Sequence, residues 1–228
     1  MIKGLQRVSI VDFPKRICVV VFTGGCNFRC PYCHNPELVV GWEKLPTIRN
    51  AEVVSFLESR RGLLDGVCIT GGEPTIHKRL PDFIERVKEK GFEVKLDTNG
   101  TNPAMVGELI KNGLLDYIAM DVKATPQKYD LATGVSVNIK DIKKSIKVIM
   151  NGGIDYEFRT TVFPDFLSIE DANKIGEWLK GASKYVFQRP RKLKMLQDVF
   201  KDSPVYAETE LNKIKNILSD YVEEVTIR

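Results

Sequence analysis

The sequence predicts a single α/β domain, a partial (β/α)6 barrel of mainly parallel strands with a small helix–strand appendage. Three observations carry this expectation. Short apolar strand-like runs alternate with helix-periodic segments, the order that builds right-handed βαβ units. Six core strands can be counted, fewer than the eight of a closed barrel. Polar clusters at residues 26–33, 71–73, 97–99 and 121–123 and at Gln188 directly follow these runs, and parallel sheets gather ligand sites at that edge.

Taken in order, residues 5–11 alternate apolar and polar side chains and end at Asp12-Phe13-Pro14, which reads as a lead-in strand or hairpin. Residues 17–22 form a β-branched run typical of a strand covered on both faces. A cysteine-rich loop follows, and residues 37–44 read as an insertion over it. Thr47 or Asn50 can cap a helix through Ser59 that turns Ile48, Val53, Phe56 and Leu57 inward. Residues 67–70 form the next strand, running into Gly71-Gly72-Glu73-Pro74. Residues 80–89 are a helix closed by Gly91, and residues 92–96 a strand ending at Asp97-Thr98-Asn99-Gly100. Residues 104–112 are a helix stopped by Gly113, and residues 115–120 a strand ending at Asp121-Val122-Lys123. Asn138 or Asp141 opens a helix through Met150, and residues 156–162 are a strand. Ser168 and Asp171 form a capping-box-like start to a helix ending near Lys180. Residues 185–188 are the sixth core strand. A helix at 207–218 and a strand at 221–227 complete the pattern, so one domain over 1–228 divides into a core at about 15–190 and an appendage at about 191–228.

Composition narrows the function. The 228 residues suffice for one sizeable core. Lysine and arginine number 34 against 30 acidic residues, interleaved, so no basic stripe points to nucleic acid. With no signal-like segment and no long apolar run, the expectation is a soluble, cytoplasmic protein without a membrane partner. Three of the five cysteines fall within eight residues, too tightly for a disulfide framework, and in a reducing compartment such a group binds metal or catalyses. Cys18 and Cys68 lie inside apolar runs, where core thiols are ordinary.

Cys26, Cys30 and Cys33 can turn three soft ligands toward one metal centre. A structural zinc loop is one alternative, with His34 as fourth ligand, but adjacency to Cys33 gives that pair an awkward bite. The spacing Cys-x-x-x-Cys-x-x-Cys, with Tyr32 before the last cysteine, resembles the cluster-binding signature of the radical S-adenosylmethionine (SAM) superfamily. The resemblance implies a [4Fe-4S] cluster with one iron left without a protein ligand. That iron takes the amino and carboxylate groups of SAM, and one electron splits the sulfonium into methionine and a 5′-deoxyadenosyl radical.

Gly71, Gly72 and Glu73 resemble the superfamily motif that receives the methionine amino group; glycines permit close backbone approach, and a carboxylate can pair with an ammonium. Asp97-Thr98 and Asp121-x-Lys123 resemble features of glycyl-radical-enzyme activases. There the two aspartates hold a monovalent cation beside SAM and the lysine reaches the SAM carboxylate; caps and turns are the plainer reading of the aspartates. By the same resemblance Tyr32, His34 and Asn35 lie against the adenosine. Arg159 and Gln188 are placed to touch SAM or a target peptide, Arg159 being equally suited to a structural ion pair. Gln188 departs from the pattern, a histidine standing there in some related activases. His77 reads as an exposed loop residue.

The extended loop Cys-Pro-Tyr-Cys-His-Asn-Pro-Glu-Leu at 30–38, with Leu5-Gln6-x-x-Ser9-x-x-Asp12-x-Pro14 upstream, is similar to the short activating proteins of anaerobic ribonucleoside-triphosphate reductase. That resemblance implies hydrogen abstraction from a glycine Cα of the reductase, supported by a flavodoxin- or ferredoxin-like reductant. Activation of pyruvate formate-lyase or another glycyl radical enzyme, or modification of a small molecule, are the enzymatic alternatives. A non-catalytic iron–sulfur electron carrier is the alternative of a different class, and it has no need of the Gly-Gly-Glu turn.

Overall fold

A computed structural model describes residues 1–190 and 194–228. Its centre is one eight-stranded sheet whose strands follow chain order: β1 (Ile2–Ser9), β2 (Cys18–Thr23), β3 (Gly66–Gly71), β4 (Glu93–Thr98), β5 (Tyr117–Asp121), β6 (Asp155–Thr161), β7 (Lys184–Gln188) and β8 (Glu224–Ile227). The lead-in segment is β1, antiparallel to β2; every later pair is parallel. β1 and β8 are the two edges, so the barrel is open, as expected. The C-terminal helix and strand are present and extend the same sheet, with β8 pairing β7 from Lys184↔Glu224 to Phe187↔Ile227, rather than standing apart from the core. Residues 191–193, where the expected appendage begins, lie outside the described residues.

Strand burial explains the continuous apolar runs. Val19 and Val21 of β2, Val67 and Ile69 of β3 and Val94 and Leu96 of β4 join the main core beneath the helices. Cys18, Val20 and Cys68 turn to the concave face with Phe13, Tyr117 and Ala119. Both faces are covered, which alternation cannot signal and β-branched runs can.

The helices are α1 (Pro36–Val39), α2 (Asn50–Ser59), α3 (Leu80–Glu89), α4 (Pro103–Lys111), α5 (Tyr129–Thr133), α6 (Ile139–Met150), α7 (Asp171–Trp178) and α8 (Glu208–Leu218). Phe83, Ile84 and Val87 of α3 are fully buried, each such side chain contributing about 1.5–3 kcal/mol of burial free energy. Asn102 and Asn138 cap α4 and α6, accepting from the backbone of Met105 and Lys140. Neither candidate caps α2: Asn50 is its first helical residue, and Thr47 Oγ1 instead accepts from Lys3 Nζ at 2.8 Å. At α7 the box is inverted, the Asp171 carboxylate accepting from both the backbone and the hydroxyl of Ser168. Among the described residues no helix is long and apolar enough to cross a membrane.

Candidate functional site

The register sets the ends of β2 to β7 along one edge: Thr23 opposite Gly71, Asp121 opposite Arg159, Thr161 opposite Gln188. A cleft of about 280 Å³ runs along that edge. Cys26, Cys30, Cys33, His34, Asn35, Tyr32, Gly71, Gly72, Glu73, Asp97, Thr98, Asp121, Lys123, Arg159 and Gln188 all line it, so the residues expected to form the site are brought to one place.

Two glycine turns hold the cysteine loop against the β3 end. Gly72 N donates to Thr23 O and Glu73 N to Gly25 O, each at 2.8 Å. A Cβ on Gly72 would lie 1.9 Å from Gly25 O, and Gly71, at φ +123°, would meet Thr23 N and O at 2.4 Å. The glycines therefore serve first to dock this chain's own loop. From the other side, a Cβ on Gly24 would lie 2.7 Å from the Trp42 ring. His77, expected to be an exposed loop residue, is half-buried there, with Nε2 2.8 Å from Gly24 O and its ring edge-on to Trp42. The asparagine side chains join in: Asn99 Nδ2 donates to Asn27 Oδ1, and Asn27 Nδ2 to Thr101 Oγ1, both at 2.8 Å.

The Glu73 carboxylate is already engaged within the chain. Its side chain is 1% exposed and its carboxylate receives Thr75 N, Thr75 Oγ1, Thr98 Oγ1 and Asn99 N at 2.5–3.1 Å. Burial pushes this carboxyl upward, opposed by those hydrogen bonds. With four donors already placed, the carboxylate ties β3 to β4, and the Thr98 hydroxyl gives it its one proton while accepting from Gly100 N.

The carboxylates of Asp97 and Asp121 are likewise occupied. Arg159 bridges them, Nη1 to Asp97 Oδ2 at 3.1 Å and Nε to Asp121 Oδ1 at 2.9 Å. Lys95, itself 1% exposed, takes the other Asp97 oxygen, and Lys123 Nζ takes the other Asp121 oxygen at 2.9 Å. All four carboxylate oxygens thus face a cation of the chain, and the arrangement does not fit the monovalent cation expected there. Arg159 forms the structural ion pair, one of its two readings. Burial raises both carboxyls, but Arg159 with Lys95 or Lys123 outweighs it and holds each below the usual carboxylate range. Lys95 carries no motif; only its inward position on β4 could have marked it.

The Tyr32 ring is packed with Phe163 and Phe166, centroids 5.3 Å away from each, so its faces belong to the core. Its hydroxyl is buried without a hydrogen-bond partner among the described residues. Helix α5, which the sequence did not reveal, backs the cysteine loop: Arg29 N donates to Thr133 O at 2.8 Å, and the Tyr129 ring meets Phe28 edge-on.

All five cysteines are free thiols. Burial pushes Cys26 up to about 12 and Cys30 to about 11, and raises Cys33, with Lys123 lowering all three. Such thiols ionise through a metal, and three of them on one cleft wall fit a [4Fe-4S] cluster that leaves one iron open. Among the described residues no three His, Cys, Asp or Glu side chains close around a single ion, the geometry a structural zinc loop requires. Cys18 and Cys68 are buried core thiols, Cys68 Sγ lying 3.6 Å from Lys95 Nζ.

The Radical SAM superfamily profile matches residues 20–179. A Methanocaldococcus jannaschii protein provisionally named a glycyl-radical enzyme activating enzyme is 35% identical over 100% of this chain and 95% of its own length. The pyruvate formate-lyase-activating enzyme of Clostridium pasteurianum is 28% identical over 78% of this chain and 76% of its own. Among solved structures, Streptococcus suis SuiB bound to S-adenosylmethionine has a TM-score of 0.71 at 14% identity, covering 92% of this chain and 49% of SuiB, a likeness of fold. With the cysteine loop, the open parallel sheet and these relatives in agreement, the chain belongs to the radical SAM superfamily and is an enzyme of its glycyl-radical-activating kind.

Proposed function

We propose that this enzyme cleaves SAM reductively and abstracts hydrogen from a glycine of anaerobic ribonucleoside-triphosphate reductase, leaving a stored glycyl radical. The observation that carries the reading is the single cleft in which three free cysteines, the Gly71-Gly72 turn and Lys123 meet at the open edge of the sheet. The sequence at 30–38 and the upstream Leu5-Gln6 to Pro14 pattern support the reductase as target.

Cys26, Cys30 and Cys33 would hold the cluster. When bound, the cluster supplies the electron that splits SAM. Lys123 keeps protons to spare beyond its bond to Asp121, and is placed to take the SAM carboxylate. The SAM ammonium falls to backbone carbonyls of the Gly71-Gly72 turn, since the Glu73 carboxylate is already satisfied. Tyr32, with His34 and Asn35, lines the side assigned to adenosine, and Gln188 the side open to a peptide. The gap between β1 and β8 leaves the cleft open to a protein loop.

Pyruvate formate-lyase activation is the second reading, favoured by the Clostridium relative. An anaerobic spin-resonance experiment separates them. The reconstituted enzyme with SAM, a reductant and the reductase is expected to give a glycyl-radical doublet that is absent without SAM. No doublet, with 5′-deoxyadenosine still formed, moves the target to another enzyme. Neither signal from cluster-loaded protein would leave an electron carrier.

A further inference from the structure

A second cavity, about 790 Å³, lies on the outside of the barrel between α6 and α7. Its rim carries Lys140, Lys143, Lys144, Lys147 and Lys180, with Glu177 as the single acid among the lining residues. The four α6 lysines are exposed and fall on one side of the helix, away from buried Ile142, Ile146 and Ile149. The whole chain has a net charge of only +4, and the five lysines less Glu177 place as much net positive charge around this one groove. Trp178 lines the groove, half-buried, with Lys143 Nζ 5.7 Å from its ring centroid.

What lies beneath Trp178 distinguishes this patch from an ordinary solvated lysine face. Trp178 packs on Tyr129 with ring centroids 6.1 Å apart, and Tyr129 on Phe28 at 6.5 Å. Phe28 N donates to Cys26 Sγ at 3.4 Å, and Lys123 N donates to Tyr129 Oη at 3.4 Å. Tyr129 is fully buried and Phe28 3% exposed. A continuous file of packed rings therefore runs from the lysine groove to the cysteine loop.

We propose that this groove is the docking surface for a small acidic one-electron carrier protein, and that Trp178, Tyr129 and Phe28 form the packed path from it to the cysteine loop. The inference rests on the proposed function, which requires one electron per SAM. The carrier loses one electron and the cluster gains it; the rings shorten the gap for tunnelling and undergo no net redox change. Lysines around the groove steer and orient an acidic surface, raising encounter rates in a salt-dependent way. Trp178, at the bottom, is the point of closest approach.

The test uses the full, cluster-loaded enzyme with reduced flavodoxin as probe, and dithionite in parallel. The variant Lys140→Glu/Lys143→Glu/Lys147→Glu changes only exposed side chains. Flavodoxin binding by calorimetry is expected to weaken in this variant, and flavodoxin-driven bleaching of the cluster to slow at least about tenfold. Dithionite-driven bleaching stays at the wild-type rate. Trp178→Leu is expected to bind flavodoxin normally yet be reduced more slowly by it. Wild-type flavodoxin rates in the triple variant overturn the docking site, as does calorimetry in which the lysines govern binding of a duplex RNA and not of flavodoxin. Wild-type enzyme that is reduced by dithionite yet yields no 5′-deoxyadenosine overturns the function itself and this site with it.

Discussion

The carbonyl oxygen of Gly25 occupies the space that a Cβ on Gly72 would need, 1.9 Å from its ideal position. The turn after β3 and the cysteine loop after β2 are thus fitted backbone to backbone, held by bonds from Gly72 N and Glu73 N. Gly72→Ala is expected to push the loop out of place, costing about 1–3 kcal/mol as overpacking does. Iron bound after anaerobic reconstitution should fall with it; full iron loading at unchanged stability would refute this fit. Gly107→Ala, inside α4 where the added Cβ meets only Val148 Cγ1 at 3.6 Å, should instead stabilise by about 0.5–1 kcal/mol.

Arg159, its side chain 12% exposed, joins two carboxylates that are 14% and 23% exposed. Arg159→Gln leaves Asp97 and Asp121 each short of a cation, at a cost of about 2–3 kcal/mol by denaturant unfolding at neutral pH, near the low end for buried pairs. The pH dependence follows from the depressed carboxyls. A lowered folded-state pKa contributes stability that is complete above the unfolded value of about 4 and lost as pH falls through the folded value. The acid limb of the wild type therefore lies below about pH 4, and the variant's should move to higher pH. Coincident acid limbs would show that Arg159 does not set those carboxyls.

Most elements were legible because their period is local. The Phe83, Ile84 and Val87 spacing of α3 and the β-branched run of β2 state their class within a few residues. Tyr129–Thr133 is too short to show a helical period, and it supports the cysteine loop, at Phe28 and Arg29, from far along the chain. The polar site was legible as a set of strand ends, because parallel register puts every strand end on one edge. Its pairings were not. Arg159 reaches Asp97 across 62 residues and Thr98 reaches Glu73 across 25, separations fixed by sheet register rather than by any nearby motif. The misfit between the aspartates and the expected cation has the same origin, since their oxygens face Lys95, Lys123 and Arg159. Nothing local announces that Arg159 bridges the two carboxylates or that Lys95 turns onto Asp97.

Glu157 and Arg228 pose a different case, a carboxylate 1% exposed that Arg228 holds with two bonds, at 3.0 and 2.9 Å. Tyr117 Oη donates a third at 3.1 Å. Arg228→Ala should cost roughly 3 kcal/mol, since the carboxylate is left charged and buried. Adding Glu157→Gln removes that charge and should recover part of the loss, so urea midpoints of the single and double variants decide between ion pairing and simple packing. Equal midpoints for the two would reject the pairing.

Cys30 and Lys123 line the same cleft but are expected to fail differently. Cys30→Ala removes one of three thiols, so iron content should fall and 5′-deoxyadenosine formation cease. Lys123→Met leaves the thiols in place and keeps the length of the chain while deleting the charge. Iron content should remain at wild-type level, SAM binding should weaken by about tenfold or more, a loss of about 1.4 kcal/mol or greater, and cleavage should slow at low SAM. Asp121→Ala should follow Lys123→Met rather than Cys30→Ala, because in the proposed function Asp121 serves SAM by fixing Lys123 through the 2.9 Å bond. Iron lost from Asp121→Ala would mean that the carboxylate supports the loop and not the ligand, and the assignment of Lys123 to the SAM carboxylate would then rest on Lys123→Met alone.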